Sequence, residues 1–156
     1  MNAWILAGGR STRFGSDKAR YVVDGEPLLV RTARVLREAG LAPVALVREP
    51  RGLGVPERLE PDGPRHPLWG VACALADGDG FFAPVDLVDL DAARVVRLLA
   101  ARAVAADQPL LGVIPSSFAA RAAELARRGG RVRELGVPTL DVGPFHNLNR
   151  PAATGS

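Results

Sequence analysis

Asn2-Ala3-Trp4-Ile5-Leu6-Ala7-Gly8-Gly9-Arg10-Ser11-Thr12-Arg13-Phe14-Gly15-Ser16-Asp17-Lys18 is the stretch whose reading decides the architecture. Asn2 to Ala7 is a short apolar run ended by a glycine pair, which reads as a buried strand delivering a glycine-rich loop. Outward from it the same alternation repeats. Pro27 to Ala39 places Leu28, Leu29, Thr32, Val35 and Leu36 at helical spacing, with proline in the first turn and Gly40 just past the end. Pro43–Val47 reads as the next strand, and residues 48–65, rich in proline, glycine and charge, as loop with one short strand. Pro67–Ala76 reads as a helix stopped by Asp77-Gly78-Asp79-Gly80, and Gly80–Val85 as a short aromatic strand. Asp91 is placed to cap a helix running to about Ala105. Leu110–Ile114 reads as a strand, Ser116 or Ser117 as the cap of a helix to about Arg128 closed by Gly129-Gly130, and Thr139–Val142 as a last short strand. Strand and helix alternate throughout without internal repeats. This predicts an α/β fold, a three-layer α/β/α sandwich around a mostly parallel sheet.

The length of 156 residues fits one domain, expected over residues 1–150, with 151–156 as a frayed tail. Hydrophobic residues at 47% and charged residues at 24% supply an ordinary core, so no covalent staple is needed. The single cysteine, Cys73, excludes an intrachain disulfide and sits in an alanine-rich stretch, where it is expected to pack as a small hydrophobe. No signal peptide is visible, and no apolar run approaches the roughly 20 residues of a membrane span. A cytoplasmic location without membrane attachment is therefore expected. The net charge is +3, but the arginines are scattered and few aromatics interleave with them, which argues against a nucleic-acid partner. Of the 20 basic residues Lys18 alone is lysine, which hints that its position needs a compact ammonium.

In parallel sheets ligands bind beyond the carboxyl ends of the strands. That rule singles out two places: Gly8 to Lys18 after the first strand, and Asp86 after the strand ending at Val85. Glycines let a backbone approach phosphate closely and aim N–H groups at it. Arg10, Arg13 and Lys18 add positive charge around the loop, and Ser11 and Thr12 add hydroxyl donors. A Walker A loop fails on spacing, since Gly9 and Gly15 are too far apart and Ser16-Asp17 separates Gly15 from Lys18. The G-x-G-x-x-G dinucleotide fingerprint is absent from the loop.

Leu-Ala-Gly-Gly-x-Ser-x-Arg-x-Gly-x-Asp-Lys, from Leu6 to Lys18, resembles the signature loop of the molybdenum cofactor guanylyltransferases, with Phe14 where that family usually has methionine. The resemblance extends more loosely through Gly25-x-Pro27-Leu28, Pro67-Leu68-x-Gly70, Pro84-x-Asp86 and Phe145-x-Asn147-x-Asn149-x-Pro151. It implies a Rossmann-like, nucleotide-diphospho-sugar transferase type of fold and a Mg²⁺-dependent nucleotidyltransferase. Such an enzyme moves GMP from GTP to the terminal phosphate of molybdopterin (or the molybdenum cofactor) and releases pyrophosphate.

By that resemblance the backbone of Leu6, Ala7, Gly8 and Gly9 holds base and ribose, Ser11 joins the nucleotide site, and Arg13 and Lys18 contact the phosphates as catalytic groups. Asp62 takes the place of an aspartate that reads guanine, although Pro61-Asp62-Gly63 is also an ordinary turn signal. Asp86 ligates Mg²⁺, which prefers few carboxylates alongside phosphate oxygens and waters; a turn or cap role is the alternative, with Asp89 and Asp91 close by. Asn147 and Asn149 lie near the acceptor or the metal, or simply shape their loop. The chain departs from the family at Val88, where proline is usual, at Asp89, where an aromatic or aliphatic residue is usual, and at His66, where glycine is usual. It is also short for the family, mostly after Ala105, and has Ala152-Ala153 where an acidic pair is typical. These departures keep two other readings open: a transferase of the same fold for another phosphorylated acceptor, such as a sugar phosphate or with CTP as donor, and a non-catalytic nucleotide-binding relative.

Overall fold

Alternate side chains of the first strand part to opposite faces of a sheet, Ile5 and Ala7 into one core and Trp4 into the other. The computed structural model in which this is seen describes residues 1–8 and 18–148. In chain order the strands and helices are β1 (Asn2–Leu6), β2 (Val22–Val23), β3 (Glu26–Pro27), α1 (Leu28–Glu38), β4 (Pro43–Val47), β5 (Glu57–Leu59), α2 (Pro67–Ala74), β6 (Gly80–Pro84), α3 (Ala92–Ala101), β7 (Val104–Ala105), β8 (Gln108–Ile114), α4 (Ala119–Arg128) and β9 (Thr139–Leu140). Among the described residues the main sheet has seven strands in the order β5-β4-β1-β6-β8-β7-β9. β5, β4, β1 and β6 run parallel; β8 is antiparallel to both its neighbours, and β9 is parallel to β7.

The period-2 alternation of the strands builds both cores. Ala45, Val47, Phe81, Ala83, Leu111 and Val113 face the layer of α1 and α3, and Leu46, Phe82 and Ile114 face the layer of α2 and α4. Each helix buries one stripe: Leu28, Leu29, Ala33 and Leu36 from α1, Val95 and Leu98 from α3, Leu68 and Val71 from α2, Ala122, Leu125 and Ala126 from α4. The result is the expected α/β/α sandwich on a mostly parallel sheet. Among the described residues no helix is long and apolar enough to cross a membrane.

Several boundaries differ from the sequence reading. The helix expected to reach Ala105 stops at Ala101, because Arg102 takes the left-handed conformation at φ 51°, ψ 51° and Val104–Ala105 joins the sheet. Its start is as expected, with Asp91 Oδ1 accepting from the Arg94 N–H at 2.8 Å, a cap worth about 1 kcal/mol. The helix ending at Arg128 begins at Ala119 and has no side-chain cap; Ser116 and Ser117 lie instead in a 3-10 turn whose Ser116 N–H donates to Asp79 Oδ1 at 2.7 Å. A small hairpin of β2 and β3, absent from the sequence reading, turns through Asp24 and Gly25, both at positive φ. Cys73 is only partly buried, and burial, followed by the nearby Glu60 charge, pushes its thiol pKa up.

Candidate active site

The parallel strands deliver their carboxyl ends to one edge, where a cavity of about 670 Å³ opens. The end of β1 and the chain just after it contribute Leu6, Ala7 and Gly8 to its wall, the chain after β6 contributes Asp86, and Lys18 faces them. The strand ends are braced: Ala7 N–H donates to Leu46 O at 3.0 Å and Val85 N–H to Leu6 O at 3.3 Å. The Arg51 side chain, in a residue 8% exposed, donates to Ala7 O at 2.9 Å and to Glu49 O at 2.6 Å, tying the exit of β1 to the loop after β4.

On one side the wall is Glu60, which follows β5 and is held by its backbone N–H on Val47 O at 2.7 Å. Its side chain is 8% exposed and pairs through Oε1 with Arg48 at 3.1 Å. The other oxygen, Oε2, lies between two glycines: a Cβ on Gly8 would stand 2.8 Å from it and one on Gly70 2.9 Å. A side chain at either position would make the carboxylate shift from where it lies. Oε2 receives no hydrogen bond from a described residue. Burial pushes the Glu60 carboxyl above its ordinary pKa, and the Arg48 charge and hydrogen bond offset this only in part. His66 and Arg65 complete this side. The His66 ring caps α2 by accepting the Leu68 N–H at Nδ1, 3.1 Å, so its Nε2–H is the donor to Gly130 O at 2.7 Å. The side chain therefore takes over, at the start of α2, a donor that a glycine there leaves open.

On the other side is Asp86, whose Oδ2 meets the Lys18 ammonium at 3.5 Å; the two side chains are 17% and 22% exposed. Asn147 Nδ2 donates to the same oxygen at 3.4 Å. Asn147 arrives on a strap, residues 144–148, fastened antiparallel to the chain after Asp86. Leu148 N–H donates to Asp86 O at 2.8 Å and Val88 N–H to His146 O at 3.1 Å. Asp89 takes the His146 backbone N–H at 2.9 Å and its ring Nδ1 at 2.8 Å, Asp107 takes the Phe145 N–H at 3.0 Å, and Arg94 lies over the Phe145 ring at 3.9 Å. Burial pushes the Asp89 carboxyl up, but the hydrogen bonds from His146 outweigh it and leave its pKa below the ordinary value. Asp89 and Val88, both departures from the family pattern, are thus built into the strap's attachment.

The sequence-derived site residues divide three ways. Leu6, Ala7, Gly8, Lys18 and Asp86 meet at the cavity, and Asn147 touches Asp86. Asp62 is exposed and outside the cavity lining, in a turn held by the Trp69 indole N–H on Pro61 O at 2.9 Å. Gly9, Ser11, Arg13 and Asn149 lie outside the described residues. The sequence reading did not single out Glu60, Arg48, Arg51 or Gln108. Glu60 was findable, because it follows directly on a short strand and so obeys the strand-end rule. Among the described residues no group of three or more His, Cys, Asp or Glu forms a metal cage. Asp86 alone, with Oδ1 taking no hydrogen bond from a described residue, suits a Mg²⁺ that completes its shell with phosphate oxygens and water.

Comparison with known proteins gives a consistent picture. Residues 3–135 match the family model of the MobA-like NTP transferase domain. A probable molybdenum cofactor guanylyltransferase of Opitutus terrae is 34% identical over 155 residues, covering 87% of this chain and 77% of that protein. The molybdenum cofactor guanylyltransferase of Rhizobium rhizogenes is 31% identical, covering 95% of this chain and 86% of its own length. Among solved structures, the molybdopterin-guanine dinucleotide biosynthesis protein A of Archaeoglobus fulgidus superposes with a TM-score of 0.75 at 16% identity, covering 97% of this chain and 93% of that one. The 2-C-methyl-D-erythritol 4-phosphate cytidylyltransferase of Thermus thermophilus superposes at 0.61 and 21% identity, covering 96% and 93%. At these identities the structural likenesses speak for the fold.

Proposed function

The chain belongs to the MobA-like NTP transferase domain family, and on that premise we propose that it transfers GMP from GTP to the terminal phosphate of molybdopterin, with or without bound molybdenum. In this reading residues 1–150 act as one catalytic domain in the cytoplasm. The observation that carries it is the meeting of Lys18 and Asp86 across a cavity that begins at Gly8.

An oxygen of the acceptor phosphate attacks the α-phosphorus of GTP, the bond from that phosphorus to the bridging oxygen breaks, and pyrophosphate leaves with the electron pair. A phosphate monoester, with a second pKa of about 6, is already anionic around pH 7, so no side chain has to remove a proton. The protein's task is alignment and neutralisation. The Lys18 ammonium offsets phosphate charge and holds Asp86 in place; Arg13 is assigned to the phosphates on the resemblance. Asp86 would hold Mg²⁺, which when bound supplies charge at the α-phosphate and the leaving group. The backbone of Leu6 to Gly9 cradles base and ribose.

For the base, geometry favours Glu60 over Asp62. Guanine presents N1–H and an exocyclic amine along one edge, and a buried carboxylate with an open oxygen can accept from them. Glu60 lines the cavity, and its Oε2, close to Gly8 and Gly70, takes no hydrogen bond from a described residue.

Thermal unfolding with GTP, CTP, ATP or UTP, each with Mg²⁺, tests the nucleotide half, since a ligand of the native state raises Tm by mass action. A rise with GTP alone, lost in Lys18→Ala, is expected. A rise with CTP alone would move the reading to a cytidylyltransferase. Pyrophosphate release from GTP, assayed with molybdopterin and with sugar phosphates as acceptors, then tests the other substrate; release with only a sugar phosphate would replace it.

A further inference from the structure

We propose that Gln108 is a positioning residue for Asp86, acting through Asn147. The inference rests on the reading of Asp86 given above and adds to it a residue that neither the strand-end rule nor the family motif marks.

The sheet itself brings the two together. β8 runs antiparallel to β6, with Gly80 opposite Ile114 and Phe82 opposite Gly112. Because the two run antiparallel, the start of β8, Gln108, lies toward the carboxyl end of β6, from which Asp86 follows. The strap then inserts Asn147 between them. Gln108 Nε2 donates to Asn147 Oδ1 at 2.7 Å, and Asn147 Nδ2 lies 3.5 Å from Gln108 Oε1 and 3.4 Å from Asp86 Oδ2.

The consequence is chemical. An asparagine amide presents two donors on one end and an acceptor on the other, and a flip exchanges them. The backbone of Asn147 is fixed by its bridge to Leu87 and by the Leu148 N–H on Asp86 O. The amide's sense is left open by those bonds; the Asp86 carboxylate, an acceptor only, takes its NH₂ end, and Gln108 supplies the donor that the other end, Oδ1, then needs. With Oδ1 held by Gln108, the NH₂ group stays on the carboxylate; without that partner the Asn147 side chain is free to leave Asp86. Oδ2 of Asp86 is then occupied by Asn147 and Lys18 together, and Oδ1 is the oxygen left for a cation.

Gln108→Leu removes the amide, and Gln108→Glu, which keeps the shape and loses the donor, serves if the leucine variant folds poorly. The first readout needs no turnover. In ¹⁵N-labelled parent the Asn147 side-chain NH₂ pair should be resolved and should shift on titration with Mg²⁺ and GTP. In the variant the pair should move toward the position of a free asparagine amide. The second readout is kinetic. The Mg²⁺ concentration for half-maximal transfer should rise, or kcat fall, by about tenfold, the scale seen for groups that orient metal ligands, with GTP-induced stabilisation retained. Asn147→Ala should show the same change, and the double variant should be no worse than Asn147→Ala alone. Unmoved Asn147 signals, or losses that multiply in the double variant, would overturn the proposal. If the parent transfers no nucleotide to any acceptor, the functional reading fails by itself, and the Asn147 signals still decide whether Gln108 holds the amide.

Discussion

The two sides of the cavity are assembled by opposite means. The side after β4 and β5 puts its charges in place by steric exclusion: Glu60 lies in a slot that exists because Gly8 and Gly70 lack side chains, with Arg48 at its back. The side after β6 relies on stitching. Asp86 is held by Lys18, Asn147 and a strap whose own fastenings, Asp89, Asp107 and Arg94, come from three other parts of the chain. A slot tolerates little change in shape and needs few hydrogen bonds of its own. A stitched loop tolerates changes in shape and depends on residues far from the chemistry. The difference suits the proposed tasks, since reading a flat base needs fixed walls and receiving phosphates and a cation needs donors that can be tuned.

That contrast can be broken in three ways, the most drastic first. Asp86→Asn removes the carboxylate that all the stitching serves, and transfer should fall by about 10²–10³-fold or more with the fold intact by circular dichroism and Tm. Turnover at the parental rate would remove Asp86 from the metal role.

Glu60→Gln tests the slot. The amide keeps the shape but replaces one accepting oxygen with an NH₂ group, which would meet the guanine donors, so preference for GTP over CTP, read as the ratio of kcat/KM, should drop by about tenfold or more. Asp62→Ala should leave that ratio within about twofold, as for a turn residue making no contact. The reverse outcome would return base reading to Asp62. The raised pKa of Glu60 adds a sign. Its folded value lies above its unfolded value, so its contribution to stability is fully present below the unfolded pKa and is lost as pH rises through the folded one. GTP binding, which needs the carboxylate ionised, should run the other way and weaken as pH falls through the same range. Opposite slopes of Tm against pH with and without GTP, both removed by Glu60→Gln, would identify this group.

The smallest effect is expected from the stitching at Asp89. Asp89→Ala removes two hydrogen bonds to His146 and should cost about 1–2 kcal/mol, read by urea unfolding. The pKa of Asp89 is depressed, so its contribution is present above the unfolded value of about 4 and is lost as pH falls through the lower folded one. The parent and the variant should therefore converge in stability in acid. Parallel curves down to pH 2 would mean that the contribution does not depend on the ionisation of Asp89.

The same contrast explains what was legible in the sequence. Strand ends and glycine pairs are local, so the sandwich, the parallel run of β1, β4 and β6, and the placing of Gly8, Lys18 and Asp86 at one edge all followed from periodicity and punctuation. The β2–β3 turn had its signal in Asp24-Gly25, which was available and not read. The end of α3 had none: the left-handed cap is an arginine, and nothing in Ala101-Arg102-Ala103 distinguishes it from more helix. Glu60 and Asp62 stand two residues apart in one polar stretch, and only the location of β5 tells which of them faces inward. The fastening of the strap is least local of all, joining Asp89 to His146 and Asp107 to Phe145 across tens of residues. A motif match can point to Asn147, but Gln108 becomes visible only when β8 is known to run against β6.

The slot around Glu60 also constrains how the site could be inherited or redesigned. Positions 8, 60 and 70 share one small volume, so none of them can vary freely. A glutamate shortened to aspartate would withdraw its oxygens and leave room for a methyl group at either glycine, whereas an alanine arriving first at position 8 or 70 would press on the longer acid. The less strained order of changes is therefore acid first and glycines afterwards. Anyone altering the base preference of this scaffold by single substitutions should begin at position 60.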